Sequence, residues 1–282
     1  MKKVIKLVIQ STVALLAVPS MNVFAAEHYA YVIDSSYTVQ LVSMKGVAEA
    51  QSKPDFALNV SSGGDGSVWI VSTDSGKADR GGNLLKVRPN GSTEWKTVKI
   101  EGGVEVSDVS GDYAGNAYVV DGATQEILHV TAAGKILSQG NAKGPFFDVS
   151  ASFSEIGPAE NLIAAIGSEP DAGIGNPVYF FKSSKTGWKP RGVGAKDVTG
   201  YWIVTASGQV KTAAPDNPIM VKSPENTASS ISVSKSGLVW ILSQEPNINK
   251  GGAYLKVWDG KGADSSNWIK VPKIGAYAVS AR

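Results

Sequence analysis

The sequence predicts an all-β protein made of consecutive four-stranded antiparallel units. Three observations lead to this prediction. A valine-containing dipeptide recurs along the chain, a second apolar strand follows each copy after a short turn, and the chain ends in a lone first strand. No apolar stripe with a period of about 3.6 residues persists long enough for a helix. The 282 residues, 43% of them hydrophobic, suffice for a large core and exclude a disordered chain.

The recurring dipeptide is a valine followed by serine or threonine, and it marks the first strand of each unit. Its six copies are Val60-Ser61, Val109-Ser110, Val149-Ser150, Val198-Thr199, Val233-Ser234 and Val279-Ser280. The valines are spaced 35 to 49 residues apart. Four short strands in about 43 residues match the repeat length of a β-propeller blade.

The second strand of each unit carries a large side chain at an equivalent position. These positions are Tyr31, Trp69, Tyr118, Ile163, Trp202 and Trp240. Because the blades of a propeller pack face to face, we expect the aromatic residues among them to fill the space between neighbouring sheets.

The two ends of the chain complement each other. The final residues AYAVSAR contain only a first strand, whereas residues 27–52 contain second, third and fourth strands. We therefore predict that 276–282 and 27–52 form one blade, which removes an unprotected sheet edge. The other predicted blades are 55–101, 102–143, 144–193, 194–225 and 226–274. The predicted fold is a six-bladed β-propeller of four-stranded antiparallel blades over residues 26–282, closed by the C-terminal strand completing the N-terminal blade.

Residues 1–25 are predicted to be a signal peptide. Lys2, Lys3 and Lys6 precede the mostly apolar stretch 7–18, and small residues precede a cleavage point after Ala25. Loss of the three lysines changes the net charge from +2 to −1. We expect a periplasmic or secreted protein, without membrane insertion after cleavage and without the basic excess that binds nucleic acid.

The composition also limits the chemistry. The chain has no cysteine, which excludes disulfides, thiol catalysis and zinc-thiolate sites. His28 and His129 are its only histidines, which argues against a Ser-His-Asp catalytic triad and against a multi-histidine metal centre.

Two segments resemble a known repeat. LNVSSGGDGSVWIVST (58–73) and SISVSKSGLVWIL (230–242) are similar to the tectonin-type β-propeller repeat, with its inner strand, glycine-containing turn and Val-Trp pair. The resemblance is good in the blades 55–101 and 226–274. It implies a lectin-like protein that binds surface glycans or lipopolysaccharide. NHL-type and virginiamycin-lyase-like propellers are close competitors.

Acidic residues precede the repeated valine in three consecutive units, as Asp108, Asp148 and Asp197. Asn59, Ser232 and Ala278 take this position in the other units. One interpretation is a polar or metal-binding channel. The favoured one is structural, since buried carboxylates need hydrogen-bond donors. Calcium is the one cofactor that the sequence allows. The sequence does not, however, show a set of Glu, Asn and Asp ligands that would converge on one ion.

Long polar loops occur in alternate units, between the second and third strands, at 73–83, 168–177 and 243–253. In a propeller such loops surround the channel entrance, and their carboxylates and amides suit sugar hydroxyls. The predicted ligand-binding residues there are Asp74, Asp79, Arg80, Asp171, Asn176, Asn247 and Asn249. An alternative site lies in the grooves between blades, at the start of fourth strands, near Trp95, Trp188 and Trp268.

The functional prediction is an exported, non-catalytic binding propeller. Its expected partner is a glycan or cell-envelope polysaccharide. One alternative is a propeller lactonase or lyase acting at the channel mouth, which a tightly bound divalent ion would favour. Another is a scaffold for other envelope proteins. The scarcity of histidine favours binding over catalysis.

Overall fold

The computed structural model describes residues 29–46, 48–51, 56–73, 83–152, 162–181, 187–213, 220–258 and 268–281. Every regular element in these ranges is a β-strand, and there are 23 of them. The predicted signal peptide lies outside them. Within the described ranges, no helix is long and apolar enough to cross a membrane. The predicted all-β class is confirmed.

Four of the predicted units each form a separate four-stranded antiparallel sheet, in which strands follow in chain order. The first contains β4 (Ala57–Ser62), β5 (Val68–Ser72), β6 (Leu84–Arg88) and β7 (Lys96–Val98). The second contains β8 (Val106–Gly111), β9 (Ala117–Asp121), β10 (Ile127–Val130) and β11 (Ile136–Ala142). The third contains β12 (Phe146–Ser152), β13 (Leu162–Gly167), β14 (Pro177–Phe181) and β15 (Trp188–Gly194). The fourth contains β16 (Asp197–Thr199), β17 (Trp202–Val204), β18 (Gln209–Thr212) and β19 (Met220–Asn226).

The fifth sheet has seven strands and joins the two ends of the chain. From the C-terminal region it contains β20 (Ala228–Val233), β21 (Val239–Pro246), β22 (Ala253–Trp258) and β23 (Ile269–Ala281). From the N-terminal region it contains β1 (Tyr29–Asp34), β2 (Val39–Ser43) and β3 (Ala48–Ala50). The spatial order is β20-β21-β22-β23-β1-β2-β3.

The predicted count of six blades is wrong: the structure has five blades, each a continuous hydrogen-bonded sheet. The reason is that β23 runs for 13 residues without a break. Its first part pairs with β22, as Lys270 does with Lys256. Its second part pairs with β1, as Val279 does with Val32. One strand therefore merges two predicted sheets, which the sequence separated at residue 275.

The predicted closure by the C-terminal strand is confirmed. Residues Ala276 to Ala281 of β23 pair antiparallel with β1, from Asp34 back to Ala30. Ala276, Val279 and Ala281 are buried in the same apolar cluster as Val32 and Trp240. The last residues of the chain therefore complete both a sheet and a core.

The second strands are buried on both faces because each sheet lies between two others. In β5 and β9 every residue is buried, which explains why these strands are apolar throughout rather than alternating. Trp69 and Trp240 are 0% exposed and Tyr118 is 2% exposed. The predicted packing role of these aromatic residues is confirmed.

Deleting residues 276–282 should unfold the protein or make it aggregate. The deletion removes three core side chains and leaves β1 as an unpaired edge. We expect the cooperative thermal transition to disappear in calorimetry. The matched control is Ile269→Ala, which truncates an exposed side chain of the same strand and should change stability by only about 0.5 kcal/mol. A truncated protein that melts like the full chain would contradict the closure.

Candidate functional site

Serine hydroxyls link the first strands of successive units around one axis. Each accepts a hydrogen bond from a backbone N–H group of the next unit. The acceptor and donor pairs are Ser61 and Gly111 (2.9 Å), Ser110 and Ala151 (2.8 Å), Ser150 and Gly200 (3.4 Å), Ser232 and Ala281 (2.9 Å), and Ser280 and Ser62 (2.9 Å). Between β16 and β20, Asp197 accepts from the N–H of Ile231 at 2.7 Å. The links run through β4, β8, β12, β16, β20 and β23 and return to β4. The serine of the repeated dipeptide thus has a structural role.

The same links correct the alignment of one unit. Ile231 pairs with Ile241 as Val60 pairs with Ile70, so the repeated dipeptide in β20 is Ile231-Ser232. The predicted copy Val233-Ser234 is wrong by two residues. The position preceding the dipeptide is therefore occupied by Ser230, not by Ser232. The alternating sequence S-I-S-V-S makes both registers look alike.

A hydrogen-bonded arc of five side chains occupies this preceding position around the axis. Asn59 donates from its amide to Asp108. Asp148 is hydrogen-bonded to both Asp108 and Asp197, and Asp197 is also bonded to Ser230. We call these five residues the carboxyl arc. Ala278 takes the sixth position and has no polar side chain.

Burial and crowding keep protons on the carboxyl arc. Burial raises the pKa of Asp108 and that of Asp197 to about 6. Burial also raises the pKa of Asp148 well above its usual range, with a further rise from the adjacent Asp197 and Asp108 carboxylates. Asp148 is consequently the member that retains its proton, and its single O–H donates to one of its two neighbouring carboxylates. Asp108 is buried, while Asp148 and Asp197 keep some accessible surface.

The contacts of the carboxyl arc favour the structural interpretation. Asp108 accepts a hydrogen bond from the N–H of Val149 at 2.8 Å, just as Asp197 does from Ile231. The link from Asp108 stands beside the link from Ser110, and the link from Asp197 joins two strands between which the described residues show no serine link. In the described ranges, no group of three or more His, Cys, Asp or Glu side chains could hold a metal ion.

A second buried polar group involves His129. Its Nε2 lies 2.8 Å from the Asp112 carboxylate, and its ring stacks on Tyr118 at 4.1 Å between centroids. Burial by itself would raise the pKa of Asp112, but hydrogen bonds from His129 and from the N–H groups of Asn116 and Ala114 hold it below its usual value. The pair ties the turn after β8 to β10.

The loops between second and third strands and the starts of the next inner strands meet on one face. The N–H of Ala57 bonds to the carbonyl of Tyr37, and that of Phe146 to the carbonyl of Gln125. The same link recurs between Ala195 and Asn176. We call this side the loop face.

The inner strands β4, β12 and β23 reach the loop face through an irregularity of one residue. The pairing register shifts between Ala57 and Asn59, between Phe146 and Asp148, and where β23 passes from Ala276 to Ala278. The residues at these three bulges are Leu58, Phe147 and Tyr277, and all three are exposed. Bulges redirect side chains and are frequent beside binding sites. Sequence patterns alone did not reveal them.

The predicted loop residues fall into three groups. Asp74, Asp79 and Arg80 lie outside the described residues. Asp171 and Asn249 are exposed on the loop face. Asn176 and Asn247 instead hold their own loops.

The two loop-holding amides have defined partners. The side chain of Asn176 donates to the carbonyls of Gly167 and Ser168, at 2.9 and 3.2 Å. The side chain of Asn247 is buried and donates to the carbonyl of Ile274 at 2.8 Å. Both are therefore committed to loop structure.

The three predicted groove tryptophans are half-buried and belong to the packing between sheets. Trp95 lies under the guanidinium of Arg88, 5.7 Å from its ring centre. Trp188 packs on Phe146 and Phe181, with ring centroids 5.6 and 5.5 Å away. Trp268 packs on Trp258 at 5.6 Å. As predicted, all three stand at or just before the start of fourth strands.

The sequence predictions missed an aromatic group on the loop face. Tyr37 lies in the turn after β1, Phe56 precedes β4, and Tyr277 lies at the bulge of β23. They escaped notice because none belongs to the repeated dipeptide or to the aromatic positions of the second strands. Only Tyr37 stands among polar turn residues, and that isolation could have marked it.

Comparison with known proteins identifies the fold and not a family. No family model matches the sequence, and no curated protein matches it significantly. TolB from Acinetobacter baumannii is similar, with a TM-score of 0.61 and 13% identity, over 90% of this chain and 66% of that one. A chain of the nidogen/laminin complex has a TM-score of 0.60 and 10% identity, over 90% and 97%. Virginiamycin B lyase from Staphylococcus aureus has a TM-score of 0.53 and 11% identity, over 88% and 84%. These likenesses show a β-propeller. This chain spans slightly less than two thirds of the TolB chain.

The stability of the protein should fall as the pH rises through about 6. The arc carboxyl groups have a higher pKa when folded than the ordinary value of 3.8. The folded state therefore binds more protons than the unfolded state, and this contribution is complete below pH 4 and lost above the folded pKa. Asp148→Asn removes the carboxyl at the centre of the arc and introduces a side-chain amide with two N–H donors in its place. We expect its Tm to depend less on pH between 5 and 8, and at pH 8 to exceed that of the unaltered protein by several degrees, since about 1 kcal/mol corresponds to roughly 2–4 °C.

Asp148→Ala is the matched control for this measurement. It removes the proton donor without replacing it, so it should be less stable than Asp148→Asn at every pH. Identical pH profiles for the unaltered protein and Asp148→Asn would show that the arc holds no shared protons.

Proposed function

We propose that the protein is an exported, non-catalytic binding propeller of lectin-like character, whose loop face recognises a glycan or cell-envelope polysaccharide. One observation carries this proposal. Among the described residues, eight large hydrophobic side chains are exposed, and six of them lie on the loop face. The six are Tyr37, Phe56, Leu58, Phe147, Ile248 and Tyr277. Exposed apolar groups gathered on one side of a protein mark interaction sites.

Polar groups on the same face support a carbohydrate as the partner. Asp171 and Asn249 are exposed at the ends of two long loops. The Asp171 loop is held by backbone hydrogen bonds between Asp171 and Gly175. The Asn249 loop is held by Asn247. Rigid loops that present a carboxylate and an amide suit the hydroxyl groups of a sugar.

The wider context of the proposal comes from the sequence. The basic and apolar segment 1–25 supports export to the periplasm or beyond. The repeats 58–73 and 230–242 support a tectonin-type, lectin-like propeller in particular. The solved structures support the propeller scaffold alone.

Catalysis at the channel mouth has less support from the described residues. The carboxyl groups nearest the axis could supply an acid or a base, but they are engaged with one another and with backbone N–H groups. A scaffold for envelope proteins would use the same loop face. The binding experiment below distinguishes this role from glycan binding.

Two asparagines of one loop allow a matched test. The protein of residues 26–282 is applied to an array of bacterial polysaccharides and defined glycans, with and without calcium, and the strongest binder is titrated calorimetrically. Asn249→Ala should weaken binding by about 1–3 kcal/mol, because a lost hydrogen-bonding group leaves its partner unpaired, and should leave the Tm unchanged. Asn247→Ala should instead lower the free energy of unfolding by about 1–3 kcal/mol, because the carbonyl of Ile274 loses its donor.

Absence of binding to every glycan on the array would contradict the proposed function. Capture of a defined envelope protein through the loop face, in place of a glycan, would favour the scaffold role.

A further inference from the structure

Three aromatic side chains on the loop face form one contiguous surface. The rings of Tyr37 and Tyr277 lie 5.8 Å apart at an angle of 13°. The ring of Phe56 lies 5.9 Å from that of Tyr37. Tyr37, Phe56 and Tyr277 are 40%, 59% and 52% exposed, so the group leaves ring surface open to solvent instead of burying it. We call these three residues the aromatic platform.

The backbone beneath the aromatic platform is strained. Tyr37 has a φ of 58° and Phe56 a φ of 41°, in the left-handed region that side chains with a Cβ avoid. Among the described residues only four that are not glycine have such angles, and two of the four belong to this platform. Strain of this kind persists where the surrounding structure enforces it, and it is concentrated at functional sites.

Backbone hydrogen bonds enforce the two strained conformations. The N–H of Tyr37 donates to the carbonyl of Asp34, and its own carbonyl accepts from Ala57. The carbonyl of Phe56 accepts from the N–H of Thr73. The fold therefore holds two aromatic rings at exposed positions outside the buried apolar clusters, and core packing does not explain their presence.

Polar groups border the aromatic platform on one side. Ser35 and Ser36 precede Tyr37 in the same turn and are exposed. Gly251 lies against Ser35, which brings the loop carrying Asn249 and Lys250 beside that turn. The turn and the loop that carry these hydroxyl, amide and ammonium groups thus border the aromatic platform.

We propose that the aromatic platform is a stacking subsite for a pyranose ring, within the binding face on which the proposed function rests. A pyranose ring with equatorial substituents has an apolar C–H face and a polar rim. The apolar face matches the rings of Tyr37 and Tyr277, which attract partly positive C–H groups through their electron-rich faces. The polar rim matches the hydroxyl and amide groups of the adjacent turn and loop.

The test uses sugars with continuous C–H faces. Cellohexaose, chitohexaose and the strongest binder from the glycan array are titrated calorimetrically into the protein of residues 26–282. Tyr277→Ala should weaken binding of the sugar by at least about tenfold, the loss expected for one stacking contact. Tyr277→Phe keeps the ring and should retain most of the affinity that Tyr277→Ala loses.

Tyr37→Gly gives a second, independent readout. Glycine adopts the positive φ without strain, so the Tm should stay equal or rise while the affinity falls by at least about tenfold. A merely structural tyrosine would show the opposite, a lower Tm with unchanged affinity. Tyr113→Ala is the matched control, because Tyr113 is similarly exposed in the turn after β8, away from the loop face.

The possible failures are distinguishable. If no sugar binds the unaltered protein, the proposed function and this inference both fail. If a sugar binds and both Tyr277→Ala and Tyr37→Gly bind it equally well, the aromatic platform is not its subsite, although the protein remains a glycan-binding propeller.

Discussion

The structure depends on the hydrogen bonds between the inner strands of successive units. Backbone pairing holds each sheet together, but it cannot join one sheet to the next, because their faces pack against each other. The polar connection is made by side chains that accept an N–H from the next inner strand, as Ser61 does from Gly111. The last such link, from Ser62 to Ser280, returns to the chain terminus. Each unit thus relies on both neighbours, which makes closure by β23 a condition of the whole fold.

The carboxyl arc makes the same kind of link between inner strands, but with side chains that can carry a charge. A serine hydroxyl is neutral, whereas three neighbouring aspartates would repel one another if all were ionised. The proton held by Asp148 reduces that repulsion, while Asp108 and Asp197 accept hydrogen bonds from N–H groups of the next inner strands. The arc therefore ties the stability of the ring to pH, while the serine links are indifferent to it. This distinction follows from side-chain chemistry, since the aspartates before the repeated apolar residue and the serines after it accept the same kind of N–H bond from the next inner strand.

Repetition determined what could be predicted from the sequence. The strands, the buried second-strand aromatic residues and the closure recur or complement each other along the chain, and the structure has them. The blade count could not be predicted, because nothing in the residues near Gly275 shows that β23 continues from one pairing partner to the next. The register of β20 was wrong because its alternating serines fit two alignments.

The candidate site was less predictable for a related reason. Asn247 and Asn249 look equivalent in the sequence, yet one is buried against the carbonyl of Ile274 and the other is exposed. Only the three-dimensional contacts separate a residue that holds a loop from one that is free to meet a ligand. The aromatic platform was even less predictable, because its members lie in a turn, in the segment before a strand and at a bulge, and Tyr277 is distant in sequence from the other two.

The division between the ring and the loop face explains where function can reside. Residues of the repeat are constrained by their links and by packing on both sides, so a change there acts on stability. The bulge and turn residues stand outside those constraints, and their side chains can change without disturbing the ring. Tyr37 and Phe56 are also unfavourable for the backbone, since they occupy conformations that glycine would adopt more easily. An exposed aromatic residue at such a position neither stabilises the backbone nor fills the core. The physical property it does contribute is an open ring face, and this is why the loop face, more than the acidic axis, is the place to look for the ligand.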